Sequence, residues 1–135
     1  MNEPQLRKLF DIICSIESRQ DPTAYNEAEK AVGIAQIREC VVFDCQWIHP
    51  KGGFSLDDRW TIVGSWELFR CYLHYWGKNF ERANDKKADY LVLARIWNGG
   101  PQGWDKGTTT YYAGKVQALW VNWKANEGSQ LWQAS

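Results

Sequence analysis

Four short polar segments of the sequence carry residue types that could bind or cleave a saccharide. Glu17 is followed by a small hydroxyl side chain at Ser18, and a Gly-x-x-Gln segment ends at Gln36. Breaking a glycosidic bond requires a proton for a poor leaving group. A carboxylic acid supplies that proton near neutral pH when an apolar setting raises its pKa. The amides of Gln36 and Asn98 can donate and accept hydrogen bonds without placing a charge near that acid.

The order of these segments is more informative than any one of them. A glutamate at a helix end is usually solvated, Asn-Gly-Gly is an ordinary helix C-cap, and Tyr112 alone would be assigned to the core. The chain also contains nine Trp and six Tyr residues. Most of these rings belong in a core, but a few in a cleft would suit the flat apolar face of a sugar ring.

Apolar residues at helical spacing predict a mostly helical fold that can position these segments. A glycine-containing apolar run after a polar stretch predicts a small β-hairpin over residues 24–37. The predicted fold class is α+β, predominantly α-helical. The predicted helices cover residues 4–18, 41–48, 60–80, 85–97 and 108–123.

Length and charge restrict the class of protein. A chain of 135 residues predicts a single domain, with an extended tail from about residue 126. Sixteen basic residues balance sixteen acidic ones, whereas a nucleic-acid binder usually has a basic excess. No apolar run is long enough to insert into a membrane. We therefore expect neither a nucleic-acid partner nor membrane insertion, and we expect a monomer.

Two longer segments resemble a known group of proteins. The stretch Ile16-Glu17-Ser18, with Ala31-Val32-Gly33-Ile34-Ala35-Gln36-Ile37 after it, resembles the opening of lysozyme-like muramidases and SLT-type lytic transglycosylases. The segment from Ala94 to Gly103, which contains Asn-Gly-Gly-Pro-x-Gly, resembles the signature of invertebrate-type lysozymes and their bacterial and phage relatives. The resemblance covers roughly residues 10 to 118. It implies a lysozyme-like fold with a small β-hairpin wing.

The resemblance also implies roles for individual residues. Glu17 matches the general acid of a glycosidase that cleaves the β-1,4 bond between N-acetylmuramic acid and N-acetylglucosamine. The other matching positions are implied to bind substrate, and they are Ser18, Gln36, Trp97, Asn98, Gly99 and Tyr112. The implied partners are the glycan strands of peptidoglycan, with chitin oligosaccharides as an alternative. The implied biological role is bacteriolytic degradation of the cell wall.

A second carboxylate would decide the mechanism. Hydrolases use a pair of carboxylates, whereas lytic transglycosylases form 1,6-anhydro ends without the second one. Glu27 and Glu29 lie in the polar stretch where relatives carry such an acid, and Glu27 is preferred because it aligns without a gap. Both residues could equally be solvated at a hairpin tip. Three outcomes stay open at this point: a hydrolase, a lytic transglycosylase, and a saccharide-binding domain without turnover.

The remaining sequence features concern metal binding, cysteine pairing and localisation. Two histidines and four cysteines without a C-x-x-C predict no metal site, and we expect no cofactor. The pairing of the cysteines stays open. The N-terminus lacks a basic region followed by an apolar one, so we expect no signal peptide. A phage-type endolysin, a virion-associated wall hydrolase and a protein exported without a signal fit these features equally. A purely structural helical domain would leave the ordered polar segments unexplained.

Overall fold

The structure is a computed structural model that describes residues 1–134, with side chains through Glu127. This part of the chain forms a helical bundle with one antiparallel hairpin, which confirms the predicted α+β, predominantly α-helical class. The helices are α1 (Glu3–Ser18), α2 (Glu39–Ile48), α3 (Ile62–Asn84), α4 (Tyr90–Gly99) and α5 (Thr110–Ala134), and the strands are β1 (Tyr25–Asn26) and β2 (Ala31–Val32).

The helix boundaries differ from the predicted ones where capping residues decide them. The predicted helix over 60–80 begins only at Ile62, because the Thr61 side chain accepts a hydrogen bond from the Gly64 backbone and caps α3. Gly77 neither ends nor kinks this helix, since it is buried beside Leu93 of α4. The next helix begins at Tyr90, after the Asp89 cap. Helix α5 continues beyond residue 126, where the sequence favours an extended tail.

Helix α3 lies at the centre of the fold and packs against α1, α2 and α4, while α4 and α1 also contact α5. Aromatic rings connect these helices through the core. The Phe10 ring of α1 lies 5.2 Å from that of Phe69, and Phe69 lies 4.8 Å from Trp97 of α4. Such tilted and edge-on pairs stabilise a core beyond the burial of their area. The chain of rings therefore fixes the position of Trp97.

The hairpin forms a small wing beside the helices. Its strands pair Tyr25 with Val32 and Asn26 with Ala31. The first strand is exposed and the second is buried, so the hairpin covers the core with one strand only. Among residues 1–134, no helix has the length and apolar character needed to span a bilayer. The prediction of a single domain over 1–135 stays a prediction, and Ser135 lies outside the described residues.

All four cysteines are free thiols in this structure. Cys14 and Cys45 are buried, and Cys40 is exposed. Burial raises the pKa of the Cys14 and Cys45 thiols far above the ordinary range, so both act as small apolar side chains.

Candidate functional site

Glu17 lies in the last turn of α1, one residue before the helix ends. The chain turns sharply there, because Arg19 adopts a left-handed conformation with φ of 56° and its backbone N–H bonds the carbonyl of Ser15. The apolar face of α1 enters the core just before this point. This arrangement brings a carboxyl side chain to the boundary between the core and the hairpin.

The position of Glu17 raises its pKa to about 7. Desolvation by burial is the largest cause, and the negative charge of Glu29 adds to it. The positive charges of Arg38 and Lys115 act in the opposite direction. A carboxyl with this pKa is protonated in about half of the molecules at neutral pH, so it can donate a hydrogen bond or a proton to a bound oxygen atom.

Tyr112 of α5 lies behind Glu17 and is buried. Its hydroxyl is close enough to Glu17 for each to affect the pKa of the other, and burial together with the carboxylate charge raises the pKa of Tyr112. The hydroxyl meets hydrogen-bond geometry with none of the described groups, so we treat it as a near neighbour of the carboxyl and not as a bonded partner. The Tyr112 hydroxyl acts to lower the pKa of Glu17, against the larger effect of desolvation.

Gln36 stands at the end of the hairpin turn with φ of 51°. Its side-chain amide donates to the carbonyl of Ala24 at 3.2 Å and to that of Gly33 at 2.9 Å, which ties the turn to the start of the hairpin. Gly33 has φ of 82°, and a Cβ there would overlap the carbonyl oxygen of Arg59. The Gly-x-x-Gln pattern is therefore required by the backbone at both of its ends.

Hydrogen bonds from two basic side chains hold the end of α4 that carries Trp97. Lys106 donates from Nζ to the carbonyl of Gly99 at 2.7 Å. Arg95 donates from Nε to the hydroxyl of the buried Thr109 at 2.8 Å, and that hydroxyl also lies 2.8 Å from the carbonyl oxygen of Gly103. These contacts hold the end of α4 in one conformation.

The hairpin, the end of α1 and the end of α4 enclose a cleft of about 270 Å³. Glu17, Gln36, Trp97 and Asn98 are all among the residues that line it. The rest of the lining comes from the hairpin end, α2, α3 and the turn after α4, with Glu29, Ile37, Arg38, Cys40, Val41, Tyr72, Gly99 and Gly100.

The structure brings together most of the residues that the sequence singles out. Glu17, Gln36, Trp97, Asn98 and Gly99 all line the cleft, although they come from three separate segments. Their roles in binding a substrate stay predictions, since no ligand is present.

Ser18 and Tyr112 are placed differently. The Ser18 hydroxyl donates to the carbonyl of Ile34 at 2.7 Å and accepts from the backbone of Asp21 at 3.0 Å, so it joins α1 to the hairpin and does not line the cleft. Tyr112 is also absent from the lining. In this geometry Ser18 and Tyr112 help to position the elements around the cleft and do not line it themselves.

The hairpin places the two candidates for a second carboxylate differently, and only one of them lines the cleft. Glu27 is exposed at the tip of the hairpin and does not line the cleft. Glu29 does line it, but its carboxylate lies 3.2 Å from the guanidinium of Arg38, with both side chains about half exposed. The preference of the sequence analysis for Glu27 is therefore not matched by this geometry, and Glu29 is the carboxylate that influences Glu17.

Sequence reasoning missed Tyr72, Arg38 and Cys40 as lining residues. Tyr72 lies in the middle of the long helix α3 and has the spacing of a core residue. Arg38 and Cys40 flank the start of α2, where nothing in their local sequence signals a cleft. In the described part of the chain, no group of three His, Cys, Asp or Glu side chains is placed to hold a metal ion.

A larger cavity, of about 910 Å³, lies elsewhere on the molecule. It is lined by the start of α1, by the segment between α2 and α3, and by residues of α3 and α4, and it contains none of the candidate residues of the sequence analysis. Several of its charged side chains are paired with each other, as in the contacts of Arg70 with Glu3 and Glu67. Size alone therefore does not make it the better candidate.

Comparison with known proteins gives a structural likeness but no family. No family model and no curated protein matches the chain. A chain of the crystal structure of Aeromonas hydrophila PliI in complex with Meretrix lusoria lysozyme is similar, with a TM-score of 0.67 and 21% sequence identity. The similar region covers 84% of this chain and 88% of that one. At this identity the likeness shows the fold alone, which is predominantly α-helical with a small two-stranded hairpin.

This comparison corrects one prediction. The matched chain belongs to a complex of PliI, an inhibitor of lysozyme, with a lysozyme, and this match gives no support for turnover. It thereby contradicts the prediction that the chain is an enzyme, whether a glycoside hydrolase or a lytic transglycosylase. The bacteriolytic role inferred with that prediction has no support from the match. The physical reason is that one fold can host many functions. The sequence motifs and the structural likeness therefore support a fold and a cleft, and they do not specify an activity.

Proposed function

We propose that the cleft binds glycan strands built from β-1,4-linked N-acetylated sugars, as in peptidoglycan, with chitin oligosaccharides as shorter analogues. The observation that carries this proposal is that Glu17, whose pKa is raised, lines the same cleft as Trp97 and Asn98. An apolar face with a few convergent polar groups is the usual composition of a small-ligand site.

The charges of the cleft support an uncharged ligand. Glu29 and Arg38 neutralise each other across 3.2 Å, and Glu17 is protonated in part near neutral pH. Gln36 and Asn98 add amide groups without a charge. A sugar with an N-acetyl group presents a neutral donor and acceptor pair, which an amide side chain can satisfy.

Asn98→Ala tests this proposal in solution. We expect it to weaken binding of chitotriose about tenfold, the equivalent of about 1.4 kcal/mol, because one side-chain hydrogen bond is lost. Isothermal titration calorimetry measures the dissociation constant. Asn122→Ala, at an exposed position of α5, is the matched control and should bind like the wild type. Equal affinity of the wild type and Asn98→Ala would remove Asn98 from the site, and absence of any binding by the wild type would overturn the proposal.

Product analysis on purified peptidoglycan accompanies the titration. Strands that stay intact agree with a binding site. Release of reducing muramic ends or 1,6-anhydro ends by the wild type, but not by Glu17→Gln, would show turnover and would overturn a role limited to binding. Mass spectrometry separates these products.

A second candidate function is binding of a protein partner at the same surface. The match to a chain of a lysozyme–inhibitor complex is the observation that favours it. The two proteins of that complex supply a discriminating measurement by size-exclusion chromatography. Capture of Meretrix lusoria lysozyme by this chain would indicate an inhibitor-like surface, whereas capture of PliI would indicate a lysozyme-like one. If neither protein is retained, this second candidate is excluded.

A further inference from the structure

Four aromatic side chains form a surface that the cleft does not include. Phe43 and Trp47 of α2 are 50% and 65% exposed. Tyr75 of α3 contacts Trp47 edge-on, with ring centroids 5.4 Å apart, and contacts Trp76 edge-on at 4.8 Å. We call these four residues the aromatic shelf. Two large rings this exposed, side by side, are unusual for a surface that binds nothing.

The aromatic shelf continues from the cleft along two helices. Cys40 lines the cleft, and Phe43 and Trp47 follow it at the i+3 and i+7 positions, which lie on the same face of α2. The rise of the helix places Trp47 about 10 Å beyond Cys40. On α3, Tyr72 lines the cleft and Tyr75 follows it one turn later. The same two helices therefore form one wall of the cleft and the floor of the shelf.

The rings of the aromatic shelf are held in fixed orientations. The Trp76 indole donates from Nε1 to the carboxylate of Asp44 at 3.2 Å, which ties α3 to α2 beneath the shelf. Trp47 is 65% exposed, so much of its indole is open to solvent. An exposed indole offers a flat apolar surface on which the apolar side of a sugar ring packs well.

We propose that the aromatic shelf binds further sugar rings of the same glycan strand that occupies the cleft. This inference rests on the proposed function, and its support is the continuity of the shelf with the cleft lining. The shelf residues carry polar groups at their edges, the Tyr75 hydroxyl and the indole N–H of Trp47, which suit sugar hydroxyls.

Ligand length separates the shelf from the cleft in an experiment. Chitotriose and chitohexaose are titrated into the wild type, Trp47→Ala and Phe43→Ala. We expect both variants to bind chitotriose like the wild type and to bind chitohexaose about five- to tenfold more weakly, because only the longer ligand reaches the shelf. Tyr111→Ala is the control, since this side chain is 77% exposed on α5 and lies outside both surfaces.

Each result decides between the two surfaces. Equal affinity of Trp47→Ala and the wild type for chitohexaose would overturn the shelf while leaving the cleft intact. Equal weakening for both ligands would assign the effect to the cleft or to the fold, and would also overturn it. A wild type that binds neither oligosaccharide would overturn the proposed function and the shelf together. Sedimentation of the unliganded protein as a dimer that Trp47→Ala disrupts would assign the shelf to a second copy of the chain.

Discussion

Glu17 shows how the position of one side chain changes its chemistry. The same residue type on the exposed hairpin tip, at Glu27, faces water. Glu17 is instead surrounded by the end of α1, by Tyr112 and by the hairpin, and its pKa rises to about 7. The unfolded chain leaves this carboxyl at an ordinary pKa. Folding therefore favours the protonated form, and the free energy of unfolding becomes dependent on pH.

The first prediction concerns Glu17→Gln. Above about pH 4.5 the unfolded chain loses this proton before the folded protein does, so the wild type loses stability as the pH rises to about 7. The glutamine variant has no such loss. We expect it to unfold with a free energy about 2–3 kcal/mol higher than the wild type at about pH 8, and to show little of this gain at about pH 4. Urea unfolding at both pH values measures the difference.

The control for this measurement is Glu27→Gln. Its side chain is exposed, so the substitution should change the free energy of unfolding little at either pH. A difference between Glu17→Gln and the wild type that stays constant with pH would show that Glu17 is not desolvated as the structure describes.

At the scale of elements, the hairpin is positioned by its contact with the segment before α3. The Arg59 guanidinium donates to the carbonyl of Ile37 at 3.3 Å and to that of Leu56 at 2.9 Å, and Arg59 is itself buried. The carbonyl of Arg59 lies against Gly33 on the other side. This packing holds Gln36 at the cleft, because the turn that carries it cannot shift away from the segment at Arg59.

Gly33→Ala tests this contact. A Cβ at this position would overlap the Arg59 carbonyl, and the φ of 82° also disfavours a side chain. We expect the free energy of unfolding to fall by about 3 kcal/mol or more. Gly53→Ala is the matched control, since Gly53 has a similar φ of 71° with open space around it. It should cost only the backbone strain, about 1 kcal/mol. Equal losses in the two variants would mean that the close approach to Arg59 contributes nothing.

For the whole molecule, the balance of charge determines how it meets a ligand. The sequence has 16 basic and 16 acidic residues, and the ion pairs of the structure are surface contacts such as Arg38–Glu29. Long-range electrostatic attraction of an anionic polymer is therefore weak. Recognition in the proposed function depends on the shape and hydrogen bonding of the cleft.

The last prediction concerns salt. The dissociation constant for chitotriose should change less than about twofold between low and physiological ionic strength, because chitotriose carries no charge for dissolved ions to screen. Titrations at the two salt concentrations measure it. Binding that weakens steeply with salt would show that the charged pair Arg38–Glu29 opens to contact the ligand.

Local sequence patterns were sufficient to predict the helices and to single out the polar segments in their order along the chain. Apolar periodicity predicted the helical class and most helix centres, whereas caps such as Thr61 and Asp89 moved the actual boundaries by several residues. Glu17, Gln36 and Asn98 were singled out from their neighbours in sequence, and the fold does bring them to one cleft. The step from those motifs to an enzyme did not hold against the comparison, because a fold does not specify an activity.

The sequence by itself determined the residue types, the helical periodicity and the neutral charge. Only the tertiary structure decided that Glu29 and not Glu27 faces the cleft, that Ser18 is engaged in bonds to the hairpin, and that Trp47 lies exposed beside Tyr75. These outcomes depend on how distant segments pack. Burial of a carboxyl, the direction of a hairpin side chain and the exposure of an aromatic ring are all set by neighbours that are far away along the chain.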